Sequence, residues 1–338
     1  MHPAALAVRN PWMIQKLLLT TGGVFCAILI AAFLFSQWQA RRIAAANPPR
    51  GEFVDVDGAR IHLTRSRPAG EAKGTIVLVH GASGNEADLR LALGERMTAA
   101  GYQVISVDRP GHGWSERGDG SSDPAMQARQ IRQAIEKAGV RQAVVAGHSL
   151  AGALTLQLAL DHTDLVNGVV LIAPVSHPWP GGVAAYYKIT AMPVIGPLFT
   201  NTVMMPIALS LIGPSLETVF SPQQVPESYR ERTGVDLVLR PKTFRANAQD
   251  VDGMYTFVTR EQARYPEISM PVEIVTGDKD TIVLTHIHSY GSARDIPGAR
   301  LHVMEGVGHS PHWARPDEVA ARIIALAQKA SEGKHAGR

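Results

Sequence analysis

The sequence predicts an α/β chain, a mostly parallel sheet flanked by helices and preceded by one long apolar helix. Three observations carry that expectation. Short β-branched runs such as residues 75–80 (TIVLVH) and 143–148 (AVVAGH) recur along the 338 residues and alternate with helix-like stretches. One of these runs breaks at residues 147–152 (GHSLAG) into an Ala/Leu-rich stretch. The chain also opens on a segment from Leu17 to Phe35 that holds 19 residues without a charge.

That opening segment comes first in order. As a helix it spans about 28 Å at about 1.5 Å per residue, close to the thickness of a bilayer's hydrocarbon core. It is long for the apolar region of a cleavable signal, although Ala44 to Ala46 offers small residues of the kind cleavage needs. Residues 1–46 are therefore expected to form a single-pass membrane anchor centred on about 17–37, with Trp38 at the interface and Asn47, Pro48 and Pro49 as the linker. Arg9 and Lys16 face Arg41, Arg42 and Arg50 across the span, so the positive-inside rule favours neither orientation. Residues 1–50 carry these five basic residues and no acidic ones, which leaves −2 on the rest of a chain whose net charge is +3. Nucleic acid is thus not an expected partner. The one cysteine, Cys26, lies inside the apolar stretch and has no intramolecular partner.

Residues 53–64 (FVDVDGARIHLT) read as a strand pair turning at Asp57-Gly58. The run 75–80 then enters a glycine-rich loop, His80-Gly81-Ala82-Ser83-Gly84, and a second turn follows at 108–115 (DRPGHGWS). Ser149 sits where the run 143–148 meets the next helix. A serine hydroxyl is a poor nucleophile at neutral pH and needs a base, an orienting acid and donors for the developing oxyanion. A sharp strand-to-helix turn exposes its side chain and aims backbone N–H groups at the reacting oxygen, and the small residues Gly147, Ala151 and Gly152 let such a turn pack closely.

After Pro174 nearly a hundred residues abandon the strand–helix rhythm, and they read as an inserted cap over 177–270. From His177 to Phe220 only Lys188 and Glu217 are charged, while residues such as Tyr186, Leu198, Met204 and Met205 supply apolar bulk suited to a hydrophobic substrate. A second span over 191–213 is disfavoured by Pro193, Pro197, Pro206 and Asn201. The rhythm resumes at 272–280 (VEIVTGDKD), a strand delivering Asp278 and Asp280 to its end, and at 301–309 (LHVMEGVGH), which delivers His309. The core is therefore expected as 51–176 and 271–332.

Five blocks in this order resemble an α/β-hydrolase of the cap-bearing branch that holds esterases, lipases and C–C bond hydrolases: the His80-Gly81 loop, 108–115, the serine turn, 277–280 (GDKD) and 308–312 (GHSPH). The resemblance covers roughly residues 51–330. It implies an eight-stranded, mostly parallel sheet with an inserted helical cap, Ser149 as nucleophile, His309 as general base, Asp280 as the acid and an oxyanion hole from the N–H groups of Ala82 and Leu150. The residues alone leave Asp278 beside Asp280, because both project to one side of an extended segment. One departure is Ala151 where the family carries glycine two places after the serine. Serine at 149, where relatives that open epoxides or cleave carbon–halogen bonds carry aspartate, argues against both chemistries.

The remaining histidines divide simply. His286 with His288, and His309 with His312, have close spacings but no complete ligand set, so no metal and no cofactor are expected. His80, His148 and His112 read as buried, hydrogen-bonded residues that shape their turns. The expected function is a membrane-anchored serine hydrolase cleaving a carboxylic ester with a hydrophobic acyl or alcohol part, its partners being a hydrophobic or lipid ester and the bilayer. The alternatives are C–C bond hydrolysis or perhydrolysis by the same residues, and a non-catalytic binding protein of the same fold.

Overall fold

The computed structural model describes residues 11–335. Eight strands form one sheet: β1 Glu52–Val56, β2 Ala59–Ser66, β3 Thr75–Val79, β4 Gln103–Val107, β5 Ala143–His148, β6 Val166–Ile172, β7 Val272–Gly277 and β8 Arg300–Met304. Their spatial order is β1-β2-β4-β3-β5-β6-β7-β8. The pairs β1/β2 and β2/β4 are antiparallel and every other pair is parallel. This is the α/β-hydrolase architecture that the sequence leads one to expect.

Local chemistry explains the elements. β1 and β2 pair Val56 with Ala59, so Asp57 and Gly58 are the whole hairpin loop, and Gly58 takes the φ of +72° that such a loop demands. Helix Pro124–Lys137 starts on Asp123, whose carboxylate accepts from Ala125 N, with proline in the first turn. β5 is buried at every position because the parallel centre of the sheet is covered on both faces. One face packs on helices Pro124–Lys137 and Ala151–Asp161 through Ile131, Ile135, Leu154 and Leu158. The other packs on Leu89, Leu93 and Met97 and on Val319, Ile323 and Leu326 of helix Pro316–His335.

The interval between β6 and β7 contains helices and no strand among the described residues. They include Ala185–Ala191, Ile195–Asn201, Met204–Phe220 and Pro241–Glu261. Ile195–Asn201 and Met204–Phe220 meet at a bend of 70°, so residues 191–213 do not form one straight rod.

The apolar N-terminal stretch is one helix, Pro11–Ala46, longer than the expected 17–37 because it continues through Arg41 and Arg42 to the linker. It is long and apolar enough to cross a membrane. Its side chains from Trp12 to Leu34 are largely exposed, and its last turns dock on the main body. Ser36 is buried and donates to Thr202 O at 3.4 Å, and Gln37 Nε2 donates to Asn201 Oδ1 at 2.8 Å. Ile43 joins Met205, Ile212, Leu237, Val238 and Leu239 in a small apolar cluster. Arg9, weighed above for orientation, lies outside the described residues.

Candidate active site

Ser149 follows β5 directly and has a φ of 54°, a conformation that a residue with a Cβ adopts only when its surroundings hold it there. Those surroundings are visible. Ser149 N donates to Ile172 O at 2.9 Å, and Ser149 O accepts from Gly152 N at 2.8 Å and Val175 N at 2.9 Å. A Cβ on Gly147 would meet Ala151 O at 2.6 Å, and one on Gly152 would meet Pro174 Cα at 2.8 Å, so both glycines are required by close approach. Ala151 is fully buried, and its methyl fits where the family pattern has hydrogen.

His309 and Asp280 converge on this serine. Ser149 Oγ lies 2.9 Å from His309 Nε2, and His309 Nδ1 lies 2.8 Å from Asp280 Oδ2. An ionised carboxylate only accepts, so the Nδ1–H donates to Asp280 and Nε2 is left to accept from the serine hydroxyl. Asp280 Oδ1 accepts from Ile282 N at 2.8 Å and Val283 N at 2.9 Å, which fixes the carboxylate plane. All three side chains are buried. Asp278 is elsewhere: β7 ends at Gly277 and the chain turns, leaving Asp278 exposed with Lys279 Nζ at 2.9 Å and Gly306 N at 2.7 Å.

The loop after β3 closes the other side. A Cβ on Gly81 would stand 2.9 Å from Ser149 Cβ, so backbone at 81–82 lies against the serine, and Leu150 heads helix Ala151–Asp161 on its far side. Ser83 has a φ of 58° and is held by Asn247, whose Oδ1 accepts from Ser83 N at 2.7 Å and whose Nδ2 donates to Ser83 Oγ at 3.1 Å. His80 donates from Nδ1 to Gly81 O at 2.8 Å and accepts at Nε2 from Arg109 N at 3.0 Å. Burial and the neighbouring Arg109 charge lower its pKa to about 3, which keeps the ring neutral in that tautomer. Arg109 donates to His80 O at 3.1 Å and Gly81 O at 3.3 Å, and its charge is met by Asp250 Oδ2 at 2.6 Å. His112 lies beside this pair, its pKa lowered well below the usual range by burial and by Arg109. Sequence reasoning missed Arg109, Asn247 and Asp250 as parts of the site, since nothing local marks partners so distant along the chain.

Behind His309 lies a second polar group. His148 Nε2 donates to His309 O at 2.9 Å, and its ring is 4.4 Å from that of His312, centroid to centroid. His312 Nε2 donates to Asp88 Oδ2 at 3.3 Å, while Tyr229 Oη and Trp313 Nε1 donate to Asp88 Oδ1 at 3.0 and 2.8 Å. Burial alone would raise the Asp88 pKa, but His312, His148 and Trp313 together hold it below the ordinary carboxylate range. One ligand atom each from Asp88, His148 and His312 lie within 4.8 Å of one another, a grouping of metal-binding residue types that the sequence did not reveal. Asp88 already accepts three hydrogen bonds there, so its carboxylate is satisfied as an anion, whereas His312 Nδ1 is buried without a hydrogen-bond partner. Of the pair weighed at 286 and 288, His286 is exposed, whereas His288 is buried and accepts at Nδ1 from Ser176 N and His177 N, both at 3.2 Å.

A buried serine–imidazole–carboxylate chain, with backbone closing over the serine from two sides, is suited to acyl transfer. The comparisons agree with the fold that carries it. The model of the alpha/beta hydrolase family matches residues 76–322. An uncharacterised protein of Mycobacterium tuberculosis is 25% identical over 306 residues, covering 86% of this chain and 83% of that protein. A 2-hydroxy-6-oxo-6-phenylhexa-2,4-dienoate hydrolase of Burkholderia cepacia is 26% identical over 271 residues, covering 76% of this chain and 87% of its own. Among solved structures, a bacterial membrane phospholipase A superposes with a TM-score of 0.65 at 22% identity, covering 94% of this chain and 97% of that one. The last likeness is one of fold.

Proposed function

This chain belongs to the alpha/beta hydrolase family, and from that membership and the geometry around Ser149 we propose a membrane-anchored serine hydrolase that cleaves carboxylic esters with a hydrophobic acyl or alcohol part. The observation that carries the reading is the pair of short contacts through His309, 2.9 Å to Ser149 and 2.8 Å to Asp280. Ser149 Oγ attacks the ester carbonyl carbon while His309 Nε2 takes its proton. Asp280, hydrogen-bonded to the opposite ring nitrogen, stabilises the imidazolium that forms. The carbonyl oxygen's negative charge is received by the N–H groups of Leu150 and Ala82. His309 then returns the proton to the departing alkoxide, leaving an acyl-serine. Water, deprotonated by the same nitrogen, attacks that acyl carbon and releases the acid as Ser149 regains its proton.

In this reading residues 177–270 form the cap that selects substrate, over a core made of 51–176 and 271–332. The Pro11–Ala46 helix is the uncleaved anchor, and its exposed apolar length is what supports that assignment. No cofactor enters any step. Cleavage of a carbon–carbon bond beside a ketone is the second reading, favoured by the similarity to the Burkholderia cepacia hydrolase.

The test is labelling of the full-length membrane protein with a fluorophosphonate, followed by an ester series graded in acyl length and one vinylogous diketone. Labelling that is lost in Ser149→Ala and His309→Ala, with turnover rising along the ester series, supports the proposal. Turnover of the diketone alone moves the assignment to the second reading. No labelling of the folded protein overturns both and leaves a non-catalytic binding protein.

A further inference from the structure

Helix Met204–Phe220 is apolar on two faces. Met205 and Ile212 turn inward to Ile43, Leu237, Val238 and Leu239. Val203, Ile207 and Leu211, spaced four residues apart, form the opposite stripe and are 43%, 47% and 52% exposed. The preceding helix, Ile195–Asn201, adds Ile195 and Leu198, and Val194 just before it is 80% exposed. An apolar stripe opposite the packed face of a helix calls for a second apolar surface, and no part of the described chain covers this one.

The N-terminal helix says which. Its continuous apolar run ends at Phe35, where the polar Ser36 and Gln37 follow and Arg41 and Arg42 come a turn later, the level at which a spanning helix leaves the hydrocarbon. Ser36 and Gln37 are those bonded to Thr202 and Asn201, so the bend between the two cap helices is held at that level. Trp38, 52% exposed with the Arg42 guanidinium 4.8 Å from its ring, marks the same plane with the aromatic and basic side chains that favour a membrane interface. Ile195–Asn201 is about 10 Å long at about 1.5 Å per residue, far too short to cross. Beyond the far end of Met204–Phe220 the chain is tied to the body: Gln223 Oε1 accepts from Gly308 N at 2.9 Å and its Nε2 donates to Gly306 O at 2.7 Å.

We propose that Val194, Ile195, Leu198, Val203, Ile207 and Leu211 form a docking face that lies in the surface of the bilayer entered by the N-terminal helix. This rests on the membrane-anchor part of the proposed function and not on its chemistry. The cap then stands on lipid, and the helix that rests there leads directly to the segment that holds the His309 loop.

The test uses the full chain in vesicles of phosphatidylcholine and phosphatidylglycerol, with an environment-sensitive fluorophore on one cysteine at a time. The sites are native Cys26 and, in a Cys26→Ala background, Leu198→Cys, Ile207→Cys and Lys137→Cys, the last an exposed residue at the C-terminal end of helix Pro124–Lys137. The expected result is loss of fluorescence at 26, 198 and 207 with doxyl-labelled lipids, and protection of 198 and 207 from aqueous iodide while 137 is quenched by iodide alone. Quenching of 26 by lipid while 198 and 207 behave like 137 overturns the docking face and leaves the anchor standing. Shielding of 198 and 207 from both quenchers means that a second copy covers them, which also overturns the proposal. Escape of 26 from the doxyl lipids removes the anchor and the docking face together. Fluorophosphonate labelling reports separately on the chemistry.

Discussion

Arg109 and Asp250 form an ion pair at 2.6 Å with both side chains wholly buried, and the same guanidinium donates to the carbonyls of His80 and Gly81. Asp250 lies on helix Pro241–Glu261, so the pair ties that helix to the loop that closes over Ser149. Removing one partner strands a buried charge, at a cost of about 3–5 kcal/mol, whereas replacing both by apolar side chains is far milder. Asp250→Ala should therefore lose most of its stability in a urea titration, and the double variant Arg109→Met/Asp250→Leu should recover part of it, since Arg117 Nη1, 2.7 Å from Asp250 Oδ1, still loses its carboxylate. The double variant should still turn over substrate poorly, because the two carbonyls have lost the donor that orients their loop. Full activity in the stable double variant would confine the pair to a packing role.

The two candidate acids separate cleanly. Asp280 contacts the imidazole and is fixed by two backbone N–H groups, while Asp278 faces solvent and Lys279. Asp280→Asn turns the acceptor at Nδ1 into a side chain that also donates, favouring the tautomer that cannot accept from Ser149. Its kcat should fall by a factor on the order of 10⁴, by analogy with other serine hydrolases of this geometry. Asp278→Asn should stay within about twofold of the parent, since surface substitutions of this kind cost little. Steady-state kinetics on a short soluble ester reads both, and the reverse order would transfer the acid's role to Asp278.

That contrast also shows what was legible beforehand. Ser149 and His309 stand at the ends of β-branched runs, flanked by glycines, and such punctuation survives in one dimension. Period-2 alternation placed Asp278 and Asp280 on one side, but alternation ends where β7 ends, at Gly277, and the turn sends the two carboxylates to different neighbours. Asp250 was illegible for another reason. It lies 141 residues from Arg109, inside the inserted stretch where no local motif marks it, and its partner is chosen by packing. Asp88, 224 residues from His312, is the same case. The N-terminal helix was visible in its uncharged part alone, because the turns carrying Arg41 and Arg42 are stabilised by docking and not by apolarity.

The serine turn makes a sharp prediction about three small residues. A methyl at Gly152 would press on Pro174, and one at Gly147 on the Ala151 carbonyl, both of them atoms of backbone or ring that have no rotamer to yield. Gly152→Ala and Gly147→Ala should each cost about 1–3 kcal/mol through overpacking and lose fluorophosphonate labelling before they lose secondary structure. Ala151→Gly, which restores the family's more common residue, should keep labelling and lose at most about 1 kcal/mol of helix propensity. Labelling retained at full rate in Gly152→Ala would mean that the turn relaxes without displacing Ser149.

The buried histidines set the acid limit. His80 is lowered to about 3, first by burial and then by Arg109, and His288 to about 4, by burial and then by His177. Both titrate near 6.5 in the unfolded chain, so from about 6.5 downward the unfolded state takes up protons that the folded state refuses. Stability is accordingly complete above pH 6.5 and falls as the pH drops to about 4, each such group adding up to about 1.4 kcal/mol per pH unit. Asp88, held below its usual range, acts in the same direction but only below its ordinary value of 3.8. At His288 the buried ring nitrogen Nδ1 accepts from Ser176 N and His177 N, both at 3.2 Å. Replacing it by asparagine supplies a permanent acceptor without a titration. The urea midpoint of the parent should decline between pH 7 and 4.5, and His288→Asn should decline less steeply over that interval. Equal slopes would place the acid sensitivity in other groups.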